Sequence, residues 1–257
     1  VVEHEVLQAD AHRRVVRIGD TVRRPMHPWS ASVHEVLGYL ADVGFPFAPR
    51  VLGIDDQGRE VLSYVNGDSG GDGWARVVDE SGLRAMARLL RDYHDAIAGF
   101  RPRTDAVWSS GSAPPRPGEL VCHGDFGPWN LVWRGTRPVG VLDWDHAGPR
   151  RPIFDVAYAL EYVAPFRDDA ESMRSMHHPS PPDRRRRLEI FAAGYGLTSL
   201  DGLADEVIDQ QRQVLALVRR LAAAGQQPQA SWLTDGTVAA TEAHIAWSVR
   251  HRDLFGG

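Results

Sequence analysis

His123, Asp125, Asn130 and Asp143 have the residue types and the spacing to handle a phosphate, a divalent cation and a hydroxyl proton. The β-rich runs 131–133 and 139–142 flank residues 134–138 as the strands of a hairpin would, so Asn130 and Asp143 fall near the same end of the pair. A carboxamide oxygen and a carboxylate brought together in this way form an oxygen donor set that suits Mg2+. Asp125 lies on the preceding loop, five residues before Asn130, where a carboxylate can accept a proton from a hydroxyl. These roles suit phosphoryl transfer.

The elements that must position these groups are legible on both sides. Residues 15–25 read VVRIGDTVRRP, two short β-rich runs about the turn pair Gly19-Asp20, which predicts a hairpin. Val33, Val36, Leu37 and Leu40 recur at helical spacing. Ser32 and Glu35 form a capping box for that helix, and Gly44 and Pro46 stop it. The runs 51–54 and 60–65 bracket the turn 55–58 and predict a second hairpin, so the opening 65 residues read as a small α+β lobe. Residues 66–73, NGDSGGDG, read as a hinge.

From there the pattern turns helical, with Leu83, Met86, Ala87, Leu90, Tyr93 and Ile97 on one face. A Gly, Pro and Ser loop at 109–118 follows, then helical patterns over 153–163, 188–197, 207–224 and 238–249. The expected organisation is an N-terminal nucleotide-binding lobe at 1–66 and a C-terminal lobe at 67–257.

Composition excludes several classes of function. Hydrophobic residues make up 43% and charged residues 25% of the 257-residue chain, the balance of a folded globular protein of one or two lobes. A net charge of −5 supplies no basic field for nucleic acid. All 29 basic residues are arginine, so Schiff-base and Ser-Lys chemistry is closed to this chain. Cys122 stands alone and no apolar run reaches membrane-spanning length, so neither a disulfide scaffold nor a membrane partner is expected. Residues 1–14 lack the basic-then-apolar order of a signal peptide, and a cytoplasmic location is expected. The chain opens at Val1 rather than Met, which reads as a trimmed numbering.

The motifs HGDFGPWN at 123–130, VLDWD at 141–145 and DVA at 155–157 resemble, in order and spacing, those of the aminoglycoside phosphotransferase and choline-kinase-like family. The resemblance extends more weakly to the N-terminal half, through the β-rich runs, a helix ending in Gly-Phe-Pro and the GREVL strand at 58–62. It implies a protein-kinase-like two-lobed α+β fold, with a small β-rich N-lobe and a larger, mostly helical C-lobe. It further implies Asp125 as catalytic base, Asn130 and Asp143 as Mg2+ ligands, and His123 and Asp155 as residues that order the loop. ATP or GTP would lie in the cleft beside Ser63, Tyr64 and Val65. The acceptor would be a hydroxylated small molecule, with an aminoglycoside the first candidate.

The chain departs from the family at the lysine that normally holds the α- and β-phosphates. Arg24 falls at that place by strand alternation, with Val22 on the same face, and a guanidinium can grip phosphate bidentately. If Arg24 is only a solvated strand residue, the alternative is a nucleotide-binding pseudokinase. Glu35 could pair with this cation, but the capping box accounts for it.

Residues 67–71, GDSGG, match a nucleophile elbow and would make Ser69 a hydrolase serine. Gly73 and Trp74 interrupt the helix that an elbow requires, so a hinge is the better reading. His94 and Cys122 read as core, and His177, His178 and the run 184–187 as solvated. Glu161, Asp168 and Asp169, with Glu171, form an acidic group that would suit a cationic acceptor; a solvated helix end is the alternative.

Overall fold

Alternating apolar residues separated by turn glycines build the N-terminal part into an antiparallel sheet. The computed structural model describes residues 4–9, 14–112 and 114–256, so parts of the 1–14 segment and of the 109–118 loop lie outside the described residues. Strands β1 (His4–Ala9), β2 (Arg14–Ile18), β3 (Thr21–Arg24), β4 (Val51–Ile54) and β5 (Glu60–Ser63) pair in the order β1-β2-β3-β5-β4. Gly19, at φ +58°, makes the tight turn between β2 and β3. Strand β1 is exposed along its whole length. With no face to bury it shows no clean alternation, and it was not among the expected strands.

Helix α1 (Ser30–Asp42) buries Val33, Val36, Leu37 and Leu40. The expected capping box is not formed: the helix begins two residues before Ser32, and Ser32 Oγ instead accepts from the Val107 amide at 3.0 Å. Glu35 has nothing to do with the β3 cation either, lying 3.8 Å from Arg103.

The glycine-rich segment crosses from the sheet to the helices. Asp68 pairs with Trp133 through two backbone hydrogen bonds of 2.9 and 2.7 Å, and α2 (Gly73–Val78) follows a short 3-10 turn. The helix therefore begins at Gly73, where an interruption was expected. Glycine is required there because a Cβ would lie 2.0 Å from the Pro128 carbonyl oxygen, so α2 sits directly on the loop that carries Asp125 and Asn130.

Asp79 caps α3 (Glu80–Ile97) by accepting from Ser81 N at 2.7 Å. The predicted face of α3 is buried, and the Tyr93 hydroxyl donates to Val121 O at 2.6 Å. Strand β6 (Leu120–Cys122) pairs with β9 (Gly148–Arg150), and the expected hairpin forms from β7 (Leu131–Arg134) and β8 (Arg137–Val141). These two ribbons hold the loop between them.

The remainder is helical: α4 (Ile153–Val163), α5 (Asp169–Ser175), α6 (Arg184–Tyr195), α7 (Leu203–Ala223), α8 (Gln229–Trp232) and α9 (Thr237–Arg250). One apolar core runs from Val36 and Leu40 of α1 through Tyr93, Phe126 and Trp144 to Phe191 of α6. Burial of each large side chain contributes roughly 1.5–3 kcal/mol. The arginine run is only half solvated. Arg184 donates to Pro165 O and Arg167 O, and Arg187 donates to the carbonyls of Val77 and Val163. Burial pushes the Arg187 guanidinium down to about 10. His178, expected in solvent, is also buried, and its pKa falls to about 4 through burial and the nearby Arg187 and Arg184 charges. Among the described residues no helix is long and apolar enough to cross a membrane.

Candidate active site

The loop between β6 and β7 is shaped by hydrogen bonds from a neighbouring helix. Asp155, in the first turn of α4, accepts from the backbone amides of His123 at 2.7 Å and Gly124 at 2.8 Å, and from His94 Nε2 at 3.1 Å. With that tautomer, His94 Nδ1 accepts from the Tyr195 hydroxyl at 2.7 Å. Burial alone would raise the Asp155 carboxyl. The bond from His94, the neighbouring imidazoles of His94 and His123 and the backbone donors outweigh it, so the group is held below the usual carboxylate range. His123 donates Nε2–H to Leu142 O at 2.9 Å and accepts from Asp125 N at 3.2 Å, linking the loop to the end of β8. Gly124 turns the chain at φ +82°, and a Cβ there would lie 2.1 Å from His146 O.

This scaffold presents Asp125 between two donors. Tyr158 Oη donates to Oδ1, and Asn130 Nδ2 donates to Oδ2 at 2.8 Å. Burial raises the Asp125 carboxyl, reinforced by the Asp143 charge and opposed by His146, Tyr158 and His123. Leu142 N donates to Asn130 O at 2.7 Å, which sets Asp143 next to Asn130 as the hairpin predicts. Asp143 itself adopts the left-handed conformation at φ 58°, uncommon outside glycine.

Arg24 lies in the same region, but its guanidinium is engaged by three carboxylates. Nε donates to Glu60, Nη1 to Asp143 at 3.3 Å and Asp145 at 3.2 Å, and Nη2 to Asp145 at 3.0 Å. His34 on α1 meets the other Glu60 oxygen at 2.6 Å. Burial would lower the Arg24 pKa, but the charges of Asp145, Asp143 and Glu60 raise it instead. Arg24 is therefore buried rather than a solvated strand residue, and each of its three nitrogens already has a carboxylate partner. The partner is Glu60 because the β3–β5 register sets it opposite Arg24.

Two clefts, each of about 530 Å3, meet at Trp129, which lines both. One is walled by Val22, Arg24, Ser63, Tyr64 and Val65 and reaches Asn130 and Asp143. The other contains Asp125 and Tyr158, with walls from α7 and α8. Ser69 lies at the first cleft with no hydrogen bond to a histidine among the described residues, so nothing there activates it as a nucleophile.

The acidic group does not line the cleft that holds Asp125. Glu161 is buried 3.5 Å from Arg167, Asp168 caps α5 by accepting from Glu171 N at 2.8 Å, and Asp169 pairs with Arg184 at 2.8 Å. Their assignment to a cationic acceptor is therefore corrected.

Sequence reasoning missed Tyr158, Glu60, Asp145 and His34. Tyr158 stands one helical turn from Asp155, a spacing that could have indicated it, whereas Glu60 required the sheet register.

The chain matches the model of the phosphotransferase enzyme family over residues 103–196. It is 34% identical over 201 residues to the trifolitoxin immunity protein of Rhizobium leguminosarum bv. trifolii, covering 76% of this chain and 75% of that protein. An aminoglycoside phosphotransferase solved with GDP and kanamycin superposes with a TM-score of 0.61 at 17% identity, covering 96% of this chain and 94% of that one. An amicoumacin kinase solved with AMP-PNP and Ca2+ gives 0.62 at 13% identity, covering 96% and 88%. A choline/ethanolamine kinase family protein from Mesorhizobium loti gives 0.58 at 17% identity, covering 96% and 92%. The fold is protein-kinase-like, with a β-rich N-terminal part and a helical C-terminal part. The chain belongs to the phosphotransferase enzyme family.

Proposed function

We propose that this protein transfers the γ-phosphoryl group of ATP or GTP to a hydroxyl of a small molecule, residues 1–66 forming the nucleotide lobe and 67–257 the catalytic lobe. The observation that carries this reading is the position of Asp125. It lines one cleft and its carboxylate makes no ion pair among the described residues, while Asn130, which donates to it, lines the other cleft with Asp143. A hydroxyl in the cleft of Asp125 and a phosphate in the cleft of Asn130 and Asp143 would meet at Trp129.

Tyr158 and Asn130 hold the Asp125 carboxylate in one orientation, which supplies positioning before the acceptor arrives. The acceptor oxygen bonds to the γ-phosphorus as the bond to the β–γ bridging oxygen breaks. The nucleoside diphosphate leaves with that oxygen, and the hydroxyl proton passes to Asp125. Burial, which raises the Asp125 pKa, makes it a better proton acceptor than an exposed aspartate.

The donor set fits a hard cation. The Asn130 nitrogen is committed to Asp125, so its amide oxygen is the atom directed away from that residue, and Asp143 adds a carboxylate. These two would hold Mg2+, which when bound neutralises charge on the phosphates. Arg24 supports the same site by holding Asp143 and Asp145 in place. An aminoglycoside acceptor draws no support from the acidic group, which lies outside the cleft.

Thermal unfolding with Mg–ATP and Mg–GTP tests the nucleotide site, comparing wild type with Asp143→Asn. Ligand at about 100 times its Kd should raise the wild-type Tm by roughly 5–10 °C. That rise should vanish without Mg2+ and in the variant. No rise with either nucleotide removes the kinase reading, and a full rise with no transfer to any acceptor leaves the pseudokinase.

A further inference from the structure

Resting on the phosphotransferase reading, the charge of the acceptor cleft narrows the class of molecule it would take. Among the described residues Asp125 is its one acidic lining residue, and His146, Arg150 and Arg220 line it as well. Arg150 is half-buried at the end of β9. Its guanidinium lies 4.6 Å from the centroid of the Phe154 ring, and Nη1 donates to His146 O at 3.1 Å. Arg220, on the exposed side of α7, donates to Ser110 O at 2.8 Å. Both bonds go to neutral carbonyls. Neither arginine has an ion-pair partner among the described residues, whereas Arg24, Arg167 and Arg184 each have one.

Two like charges that line one cleft, neither with an ion-pair partner among the described residues, repel each other. Burial, with Arg220 adding to it, lowers the Arg150 pKa against the opposing influence of Cys122, Asp155 and Glu119. An entering anion would relieve both effects and gain charge-assisted hydrogen bonds. Arg150 also stands close to the catalytic loop: a Cβ built on Gly124 would lie 3.1 Å from its Nη1. Trp129, Phe154, Val214, Leu217 and Trp232 give the cleft an apolar, partly aromatic surface beside the polar Gln213 and Gln229. A monoanion suits this cleft better than a phosphate dianion, because Asp125 places its own negative charge in the same cleft. A polyamine would meet two fixed positive charges.

We propose that the acceptor is a hydroxylated carboxylic acid with an apolar or aromatic body. Its carboxylate is held by Arg150 and Arg220, its body lies on Trp129, Phe154 and Trp232, and its hydroxyl reaches Asp125. Arg150 and Arg220 thereby select the substrate without touching the phosphate.

The test uses tropate and N-benzoylserine, each a hydroxyl, a carboxylate and a phenyl ring in one small molecule, beside their uncharged amides and kanamycin. Binding is read by tryptophan fluorescence in wild type, Arg220→Gln and Arg150→Gln/Arg220→Gln, with Mg–ADP present. Each acid should bind at least about tenfold more tightly than its amide, as loss of a charged hydrogen bond implies. That preference should shrink in the exposed-site variant Arg220→Gln and disappear in the double variant. Binding of the amides as tight as the acids, a preference that survives both variants, or no acid binding at all would overturn the proposal.

Incubation with Mg–ATP and mass detection of the phosphoester then separates the two readings. Acid preference without a phosphoester upholds the anion site and removes phosphoryl transfer. Phosphorylation of kanamycin without acid preference upholds transfer and overturns the anionic acceptor.

Discussion

Replacing Asp155 by asparagine should separate the loop's architecture from its chemistry. Its two carboxylate oxygens serve three donors: Gly124 N on Oδ1, and His123 N and His94 Nε2 on Oδ2. Asparagine keeps the shape but turns one oxygen into an amide NH2. Whichever way it faces, a buried backbone N–H then points at another donor. His94 can adapt by changing tautomer, but the amides of His123 and Gly124 cannot. One unsatisfied buried donor costs roughly 1–3 kcal/mol, and with the lost charge-assisted bonding the total is about 2–4 kcal/mol. For a chain of this size that is a fall in Tm of roughly 5–15 °C.

The pH dependence supplies a sign. The folded-state pKa of Asp155 is depressed, so its contribution is full above the unfolded value of about 3.9 and is lost as pH falls below it toward the folded value. The difference in Tm between wild type and Asp155→Asn should hold constant from pH 8 to pH 5 and narrow only in more acidic buffer. Asp95→Asn, which breaks an exposed pair with Arg91, is the contrast and should change Tm little. Calorimetry across pH reads all three proteins. An Asp155→Asn Tm within about 1 °C of wild type at neutral pH would refute the reasoning.

Asp125→Asn should abolish phosphoryl transfer while nucleotide-induced stabilisation persists; turnover near the wild-type rate would remove Asp125 from the mechanism. Because burial raises the Asp125 pKa, the acid limb of the wild-type pH–rate profile should lie above the range of an ordinary aspartate. A limb at or below about 3.9 would contradict that. Arg24→Ala should cost about 3–5 kcal/mol by stranding buried Glu60 and Asp145, and Arg24→Lys should lower Tm less. An unchanged Tm with only a raised nucleotide KM would instead make Arg24 a phosphate ligand. Gly124→Ala places a Cβ 2.1 Å from His146 O at a positive φ, so it should displace the loop and reduce activity at least tenfold, measured as kcat/KM.

The loop at 123–130 was legible because its information is local. The spacing from His123 through Asn130 to Asp143, and the apolar runs either side of 134–138, specify a loop and hairpin whatever surrounds them, and β7 and β8 form as that spacing implies. The helical faces of α3 and α7 were legible for the same reason, since one buried stripe at 3.6-residue spacing is written in the chain itself, whereas α4 is buried on nearly every side and α9, although helical as its pattern implies, buries only Ser248. Strand β1 was not, because an exposed edge strand carries no stripe.

What the tertiary structure decided are the partners that meet across long stretches of chain. Arg24 was visible as the cation of its strand, but whether it faces phosphate or carboxylates depends on Glu60, 36 residues away, and Asp145, 121 residues away. The acidic residues from Glu161 to Glu171 looked like a substrate site by composition, and packing gave Glu161 to Arg167 and Asp169 to Arg184. Arg184 and Arg187 looked solvated, and carbonyls of the preceding segments draw them inward. Charge reads as composition in one dimension; only the fold chooses which opposite charge or carbonyl stands within reach, because desolvation makes each buried charge find a partner.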